Sequence, residues 1–306
     1  MKRLALRLGG IVVVILAATS FAWWILHLLR PNLFPAESGG LIGRYGHFLD
    51  RAFLHFDFGD SNSGSRRPVA DLVREGAPAD VSVLAGGLVF GLVAGVAGGV
   101  ACARRPRGAV SRALQGVGLV GMCTPVYVVG LMSLLLFGAE IGRVQPLGLG
   151  IPLRYVPFGD SATGWLGALV APWIVLGLPL AGMCLRVMQG QMIEVAGEEY
   201  VDVARAKGLS EARIRRRHML PPALAPTLML AGSSTPLLLT NVVLVEKVFS
   251  VPGVFRDLSQ AYGGANIPLI LGMTAVGAAF IGVTTLLFDL ALTWLDPRIR
   301  AGQTAR

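Results

Sequence analysis

Charge is scarce in this 306-residue sequence: Asp, Glu, Lys and Arg make up 15% of it, against about 25% in a soluble domain. With 54% hydrophobic residues, a globule of this size could not hide its apolar surface, and a soluble fold is excluded. The same hydrophobicity, with no biased polar tracts, excludes a disordered chain. Cysteine is almost absent. Three residues in the whole chain exclude a disulfide scaffold. Cys102, Cys123 and Cys184 lie inside apolar runs, where a thiol acts as a small buried hydrophobe. Lysine is equally rare. Lys2, Lys207 and Lys247 are the full set, and none closes a Gly-x-x-x-x-Gly-Lys-Ser/Thr phosphate loop, so this chain cannot hydrolyse ATP by itself. His27, His47, His55 and His218 are scattered and offer no metal-ligand cluster. A multi-span membrane protein is what remains.

The net charge is +9. A basic chain can signal nucleic-acid binding. Here the cations sit in short clusters between apolar runs, so membrane topology explains them better and no nucleic-acid partner is expected. Six windows of about 20 residues or more lack Asp, Glu, Lys and Arg: 8–29, 81–103, 113–139, 165–185, 224–245 and 268–288. One charge at the bilayer centre costs about 2.5–3.5 kcal/mol on the insertion scale, so six clean windows predict six helices. Barrel strands are excluded, because the runs are continuous instead of alternating. Lys2, Arg3 and Arg7 before the first run resemble a signal peptide, but an h-region is about 7–15 residues; an uncleaved span is expected.

Orientation follows the cations. The amino terminus, the loop with Arg104, Arg105, Arg107 and Arg112, the loop from Arg186 to Arg217, and the tail with Arg298, Arg300 and Arg306 share one side. Opposite loops hold only Arg143, Arg154, Lys247 and Arg256. The long first loop is rich in arginine, but seven acids between Glu37 and Asp80 accompany it. Both termini are therefore expected in the cytoplasm. The linear partition is 1–30 for the tail and first span, 31–80 for an extracytoplasmic segment without its own core, 81–300 for five further spans, and 301–306 for a tail. In the second segment, Gly59 to Ser65 is loop chemistry. Pro68 to Arg74 is expected to begin a short amphipathic helix. There is no fixed-period repeat.

None of the six windows carries Asp, Glu, Lys or Arg, and His27 stands at the end of the first as an interfacial residue, which argues against a proton- or sodium-coupled carrier and against an intramembrane hydrolase. Gly86, Gly87, Gly91, Gly95, Gly98 and Gly99 predict close helix packing. Ser233, Ser234, Thr235, Thr240 and Asn241 in the fifth span, with Thr274, Thr284 and Thr285 in the sixth, are read in two ways: they line a polar path, or they hydrogen-bond between helices. Pro125, Pro172, Pro179 and Pro236 fall within spans and free backbone carbonyls.

The stretch 187–223 is long for a simple connection. Glu198 to Lys207 reads as one helix, ended by Gly208 in the left-handed C′ position. Ser210 as N-cap and Glu211 in the first turn begin another, with Glu211 and Arg215 spaced i, i+4. Leu220-Pro221-Pro222 then leads into the fifth span. The stretch is either a docking element or a solvated helical linker.

Asp202-Val203-Ala204, three residues, Gly208, nine residues, and then Leu220-Pro221 two positions on resemble the EAA loop of ABC-importer membrane subunits. Asp202 stands for the family's Glu, Val203 for its first Ala, and His218 replaces its Ile. Tyr200-Val201 with Ala204 to Ser210 is similar to the dipeptide/oligopeptide/nickel branch. So are Val245-Glu246-Lys247-Val248-Phe249-Ser250-Val251-Pro252-Gly253, Leu295-Asp296-Pro297-Arg298-Ile299-Arg300, Asp57-Phe58-Gly59-Asp60-Ser61, Pro68-Val69 and Thr124-Pro125. After the first span the family often has Pro-Gly-Asp-Pro, where this chain has Arg30-Pro31-Asn32-Leu33-Phe34-Pro35.

The resemblance implies an all-α polytopic permease subunit of the type I importer class, not an enzyme. It implies a second permease, usually a different chain, two ABC ATPase subunits carrying ATP and Mg, and an external binding protein. This chain itself would hold no cofactor. Residues 199–216 would be the coupling helix region. Tyr200, Asp202, Ala204, Arg205, Ala206, Lys207, Gly208 and Leu209 would form the contact with the ATPase, with Asp202, Ala204 and Gly208 approached most closely. Of the two readings of the span hydroxyls, the path reading would place Ser233, Ser234, Thr235, Thr240, Asn241 and Thr274 along it. Peptides are the commonest cargo of the branch, and nickel or another small solute is the alternative; a passive channel or ion-coupled carrier is the competing class.

Overall fold

A computed structural model describes residues 2–34, 40–62, 66–139, 142, 150–152, 154–264 and 266–295. Arg143, Arg298, Arg300, Arg306, Pro35, Glu37, the Ser63-Gly64-Ser65 run and Asp296 to Arg300 of the closing motif lie outside the described residues. The described chain is helical, with two isolated bridges and no β-strand. Its helices are α1 (Lys2–Leu29), α2 (Leu41–Leu49), α3 (Val69–Arg104), α4 (Ala109–Cys123), α5 (Val126–Phe137), α6 (Ala162–Ala196), α7 (Glu199–Ala206), α8 (Glu211–Ile214), α9 (Leu220–Ser233), α10 (Thr235–Val248), α11 (Leu258–Gly263) and α12 (Ile267–Leu295).

Four helices, α1, α3, α6 and α12, are long and apolar enough to cross a membrane; the count rises to six if each of two bent pairs is one span. The bent pairs correct two of the six expected continuous spans. The run 113–139 is two helices, α4 and α5, whose axes diverge by 113°. Pro125 has no N–H to donate and drives its predecessor out of the α region; Thr124 is extended (φ −88°, ψ 131°). The run 224–245 breaks at Ser234, and helix α10 leaves at 51° with Pro236 in its first turn. Pro172 and Pro179 leave α6 unbroken.

The chain divides into two compact units. One comprises Met1–Ser82 and Val251–Val283, the other Val83–Ser250 and Thr284–Arg306. These units cut across the linear partition expected from the sequence.

In the first unit, the segment 31–80 contributes to a core that is not its own alone. It shares that core with 251–272. Ala52, Phe58, Ser61, Val69, Val73 and Asp80 are buried, as are Val251, Val254, Phe255 and Asn266. Both Asp80 carboxylate oxygens accept the Val254 N–H, at 3.1 Å. Asn266 Nδ2 donates to Ser61 Oγ at 2.7 Å. The Asp57-Phe58-Gly59 turn is built locally: Asp57 Oδ1 accepts the Gly59 N–H at 2.8 Å, and Gly59 takes φ +94°. Burial pushes the Asp57 carboxyl up, but the Gly59 amide and the Arg51 guanidinium outweigh it and hold the carboxyl below its ordinary value. The helix expected to begin after Pro68 does so, but it is not separate. It runs as α3 through Pro78 into the apolar stretch.

In the second unit, glycines let α3 lie against α6. A Cβ on Gly91 would stand 2.9 Å from the Gly177 carbonyl oxygen, and one on Gly99 would stand 2.6 Å from Met188 Cβ. Gly86, Gly87, Gly95 and Gly98 face residues 173–185 in the same way, as the small-residue run predicts. Gly118 of α4 meets Gly182 of α6 at similarly close range.

Candidate functional site

The stretch from α6 to α9 folds as a buttressed element rather than a slack linker. Its base is a buried cluster: Met188, Met192 and Val195 of α6, Val201 and Ala204 of α7, Ile214 of α8, then Met219 and Ala223. Val96, Val100 and Ala103 of α3 pack against it. The pattern has a simple origin. Val201 and Ala204 are three apart on one face of α7, and Tyr200 and Val203 lie on an adjacent, exposed face, with Lys207 at the helix end. Tyr200 and Val203 are 45% and 52% exposed, large values for apolar side chains on a well-packed helix.

The end of α7 is a Schellman turn. The Gly208 N–H donates to the Arg205 carbonyl at 2.9 Å, and the Leu209 N–H donates to the Ala204 carbonyl at 3.3 Å. Gly208 takes φ +77°, the left-handed position read from the sequence. An L side chain there would carry backbone strain, although space around its Cβ position is open. Leu209 then packs on the buried cluster. Ser210 does occupy the N-cap position of α8, but its side chain makes no capping bond. Its carbonyl instead accepts Arg213 and Ile214.

Arg205 ties the two short helices. Its Nη1 donates to Asp202 at 2.8 Å and its Nε to Glu211 at 2.9 Å. Those bonds, Glu211 first, raise its pKa. The expected Glu211–Arg215 pair is loose, at 4.0 Å. Such exposed pairs contribute little stability; they link α7 to α8 across the turn. Tyr200 Oη donates to the His218 carbonyl at 3.3 Å. Burial, then the Glu198 charge, push the phenol pKa up, so it remains a donor. His218, standing where the family has Ile, thus contributes its backbone to the element.

The expected contact residues do not all face the same way. Tyr200, Asp202, Arg205, Ala206, Lys207 and Gly208 are exposed together. Ala204 is not: it is 5% exposed and faces the chain's own core. Its lack of bulk lets α7 settle on α6, and the expectation that it is approached directly by a partner is corrected on that ground. Leu209 is likewise turned inward.

Five of the six expected path residues turn their polar groups to their own helices. Ser233 and Ser234 donate to the Leu230 carbonyl, Thr240 to Pro236, Asn241 to Leu237 and Thr274 to Ile270, all at 2.8–3.0 Å. Thr235 is buried. Bonds of this kind satisfy hydroxyls without bridging helices. Thr274 belongs to the first unit and the other five to the second.

The burial of three polar residues was not legible in the sequence. Asp80, Glu246 and Asn266 are each about fully buried. Asp80 and Glu246 each stand one residue outside a clean window, and the uncharged Asn266 two residues before another. That position at a window edge is the signal that could have found them.

Residues 87–301 match the family described as binding-protein-dependent transport system inner membrane component. The chain belongs to that family. The match covers more than half of this permease. A dipeptide transport system permease protein of Lactococcus lactis subsp. cremoris is 27% identical over 98% of this chain and 99% of its own length. A protein of Brucella abortus, provisionally named a peptide transport system permease protein, is 30% identical over 83% of this chain and 79% of its own. A Sinorhizobium fredii protein, named a probable peptide ABC transporter permease, is 30% identical over 76% and 72%. The permease is therefore a multi-pass inner-membrane protein and a transport component. As in its family, it works with binding-protein and ATPase partners.

Proposed function

We propose that this permease forms part of the translocation path for di- or oligopeptides, delivered by an external binding protein and driven by separate ABC ATPase subunits. The cargo rests on the relatives named for peptide or dipeptide transport. The coupling rests on one observation: the exposed ledge of Tyr200, Val203 and Lys207, ended by Gly208, is mounted on a buried cluster shared by α3, α6 and α9. A push on that ledge is carried into three helices at once, because packed cores transmit displacement instead of absorbing it.

In this reading both termini and the 187–223 element are cytoplasmic, and the 31–80 segment faces outward. Two ATPase subunits seat on this ledge and its counterpart on a second permease, a different chain. ATP and Mg are held by the ATPases and no cofactor by this chain. The exposed hydroxyls of Ser233 and Thr240 offer weak, local polar contacts, suited to passage rather than tight binding.

The test is uptake of a labelled dipeptide into proteoliposomes of the assembled complex. Uptake is expected to require internal ATP and to persist when a protonophore collapses the proton gradient. Uptake abolished by the protonophore at constant ATP would overturn the reading.

A further inference from the structure

The first unit carries a cavity of about 360 Å³ where two apolar helices end. Trp23, near the carboxyl end of α1, and Ile267, Pro268 and Leu271, at the start of α12, line one side. Those positions mark the depth at which hydrocarbon gives way to headgroups. Trp23 is 3% exposed. It stacks on His27 at 4.9 Å and packs against Phe34, Tyr45 and Phe48 within 6.2 Å. Aromatic residues of this kind gather at membrane interfaces.

The other wall is charged. Arg44, Arg51 and Arg66 line it with His47, Asp57 and Asp60. Arg51 is held by Asp57 at 2.8 Å. Arg44 differs: its Nε is buried and has no hydrogen-bond partner. A guanidinium N–H withdrawn from water needs an acceptor. The arginines outnumber the two carboxylates, so the missing acceptor is an anion.

A second, mostly apolar groove of about 420 Å³, with Arg30 and Thr274 among its lining, adjoins the cavity. Phe21, Ile25 and Leu29 of α1 and Ile270 of α12 line it, and Ile267 lines both spaces. The apolar groove thus begins where the cationic chamber ends. A free anion fits the chamber and leaves the groove empty. A fatty chain alone fills the groove and leaves Arg44 unsatisfied.

We infer that the two spaces together hold an acidic phospholipid, its phosphate on Arg44 and Arg66 and one acyl chain along α1 and α12. The ligand is a structural lipid of the leaflet at that end of α1, distinct from any transported solute.

The test uses the full-length permease in nanodiscs of equal parts phosphatidylglycerol and phosphatidylcholine, then detergent extraction and native mass spectrometry. Wild type is expected to retain phosphatidylglycerol in preference to phosphatidylcholine. Each arginine beside an anionic lipid strengthens the attraction about fivefold, so Arg44→Gln with Arg66→Gln is expected to lower retention tenfold or more. Equal retention of both lipids, or unchanged retention by the double variant, overturns the proposal. Displacement of the lipid by millimolar inorganic phosphate alone would make this a free-anion site and also overturn it. Should the double variant fail to fold, Ile25→Trp, which fills the groove and leaves the arginines in place, decides: lost retention supports the proposal and full retention overturns it.

Discussion

Gly208 offers a way to separate the shape of the coupling element from its surface. Its φ of +77° costs an alanine about 1–2 kcal/mol, a factor of about 5–30 in the local folding equilibrium. Asparagine tolerates the left-handed region better, so Gly208→Asn strains the turn less than Gly208→Ala. The order of bulk is opposite. Nothing stands within 4 Å of a Cβ at this position, so the isolated chain accepts either side chain. An ATPase seated against the turn would meet asparagine much more severely than alanine, and overpacking a close contact costs about 1–3 kcal/mol, about 5- to 150-fold in affinity. Two assays are needed: hydrogen exchange of residues 199–214 in the purified permease, and the amount of ATPase retained on tagged permease. Local protection is expected to fall in the order glycine, asparagine, alanine. ATPase capture is expected to fall in the order glycine, alanine, asparagine. If both assays give one order, the turn acts only through its own folding. If Gly208→Asn captures ATPase as wild type does, the surface around Gly208 is not a contact and the coupling proposal fails.

Ala204→Leu overfills the cluster beneath α7 and is expected to destabilise it by about 1–3 kcal/mol. It should weaken ATPase capture although Ala204 faces away from the exposed ledge; wild-type hydrogen exchange in residues 199–209 of this variant would contradict that account. Asp80→Ala leaves the Val254 N–H buried without its acceptor, a loss of about 1–3 kcal/mol. Asp80→Asn, which keeps one acceptor oxygen, should lose less, and equal thermal midpoints for the two variants would refute the role given to that carboxylate. The Asp57 carboxyl is held below its ordinary value, so its contribution is present above that value and lost as pH falls through the depressed one. Protection of the Gly59 amide, corrected for intrinsic exchange, should therefore fall in acid. Arg51→Gln should move that loss to higher pH, and protection unchanged by either would refute the assignment.

The membrane class, the helical windows and the coupling turn were legible in the residues themselves, because each depends on local chemistry. A charge-free run of sufficient length cannot be stable in water. A glycine followed by a leucine and a serine at the N-cap position ends one helix and starts another, and the +77° at Gly208 came out as the C′ glycine rule requires. Pro125 was visible too, but its effect was not. Proline specifies a break and leaves the angle to packing; Pro172 and Pro179 leave α6 whole, while Thr124-Pro125 opens a 113° turn. Orientation of side chains on α7 was likewise open. Ala204 has the same small side chain whether it admits a partner or its own α6, and only the buried cluster of Met188, Met192 and Val201 decided the matter. The same holds for Asp80, Asn266 and Ser61. They are far apart in sequence from what they bind, and no periodicity relates residue 80 to residue 254. Local rules act over a few residues and are written in order along the chain. Which distant groups must satisfy one another is fixed only when the chain closes on itself and removes water from both.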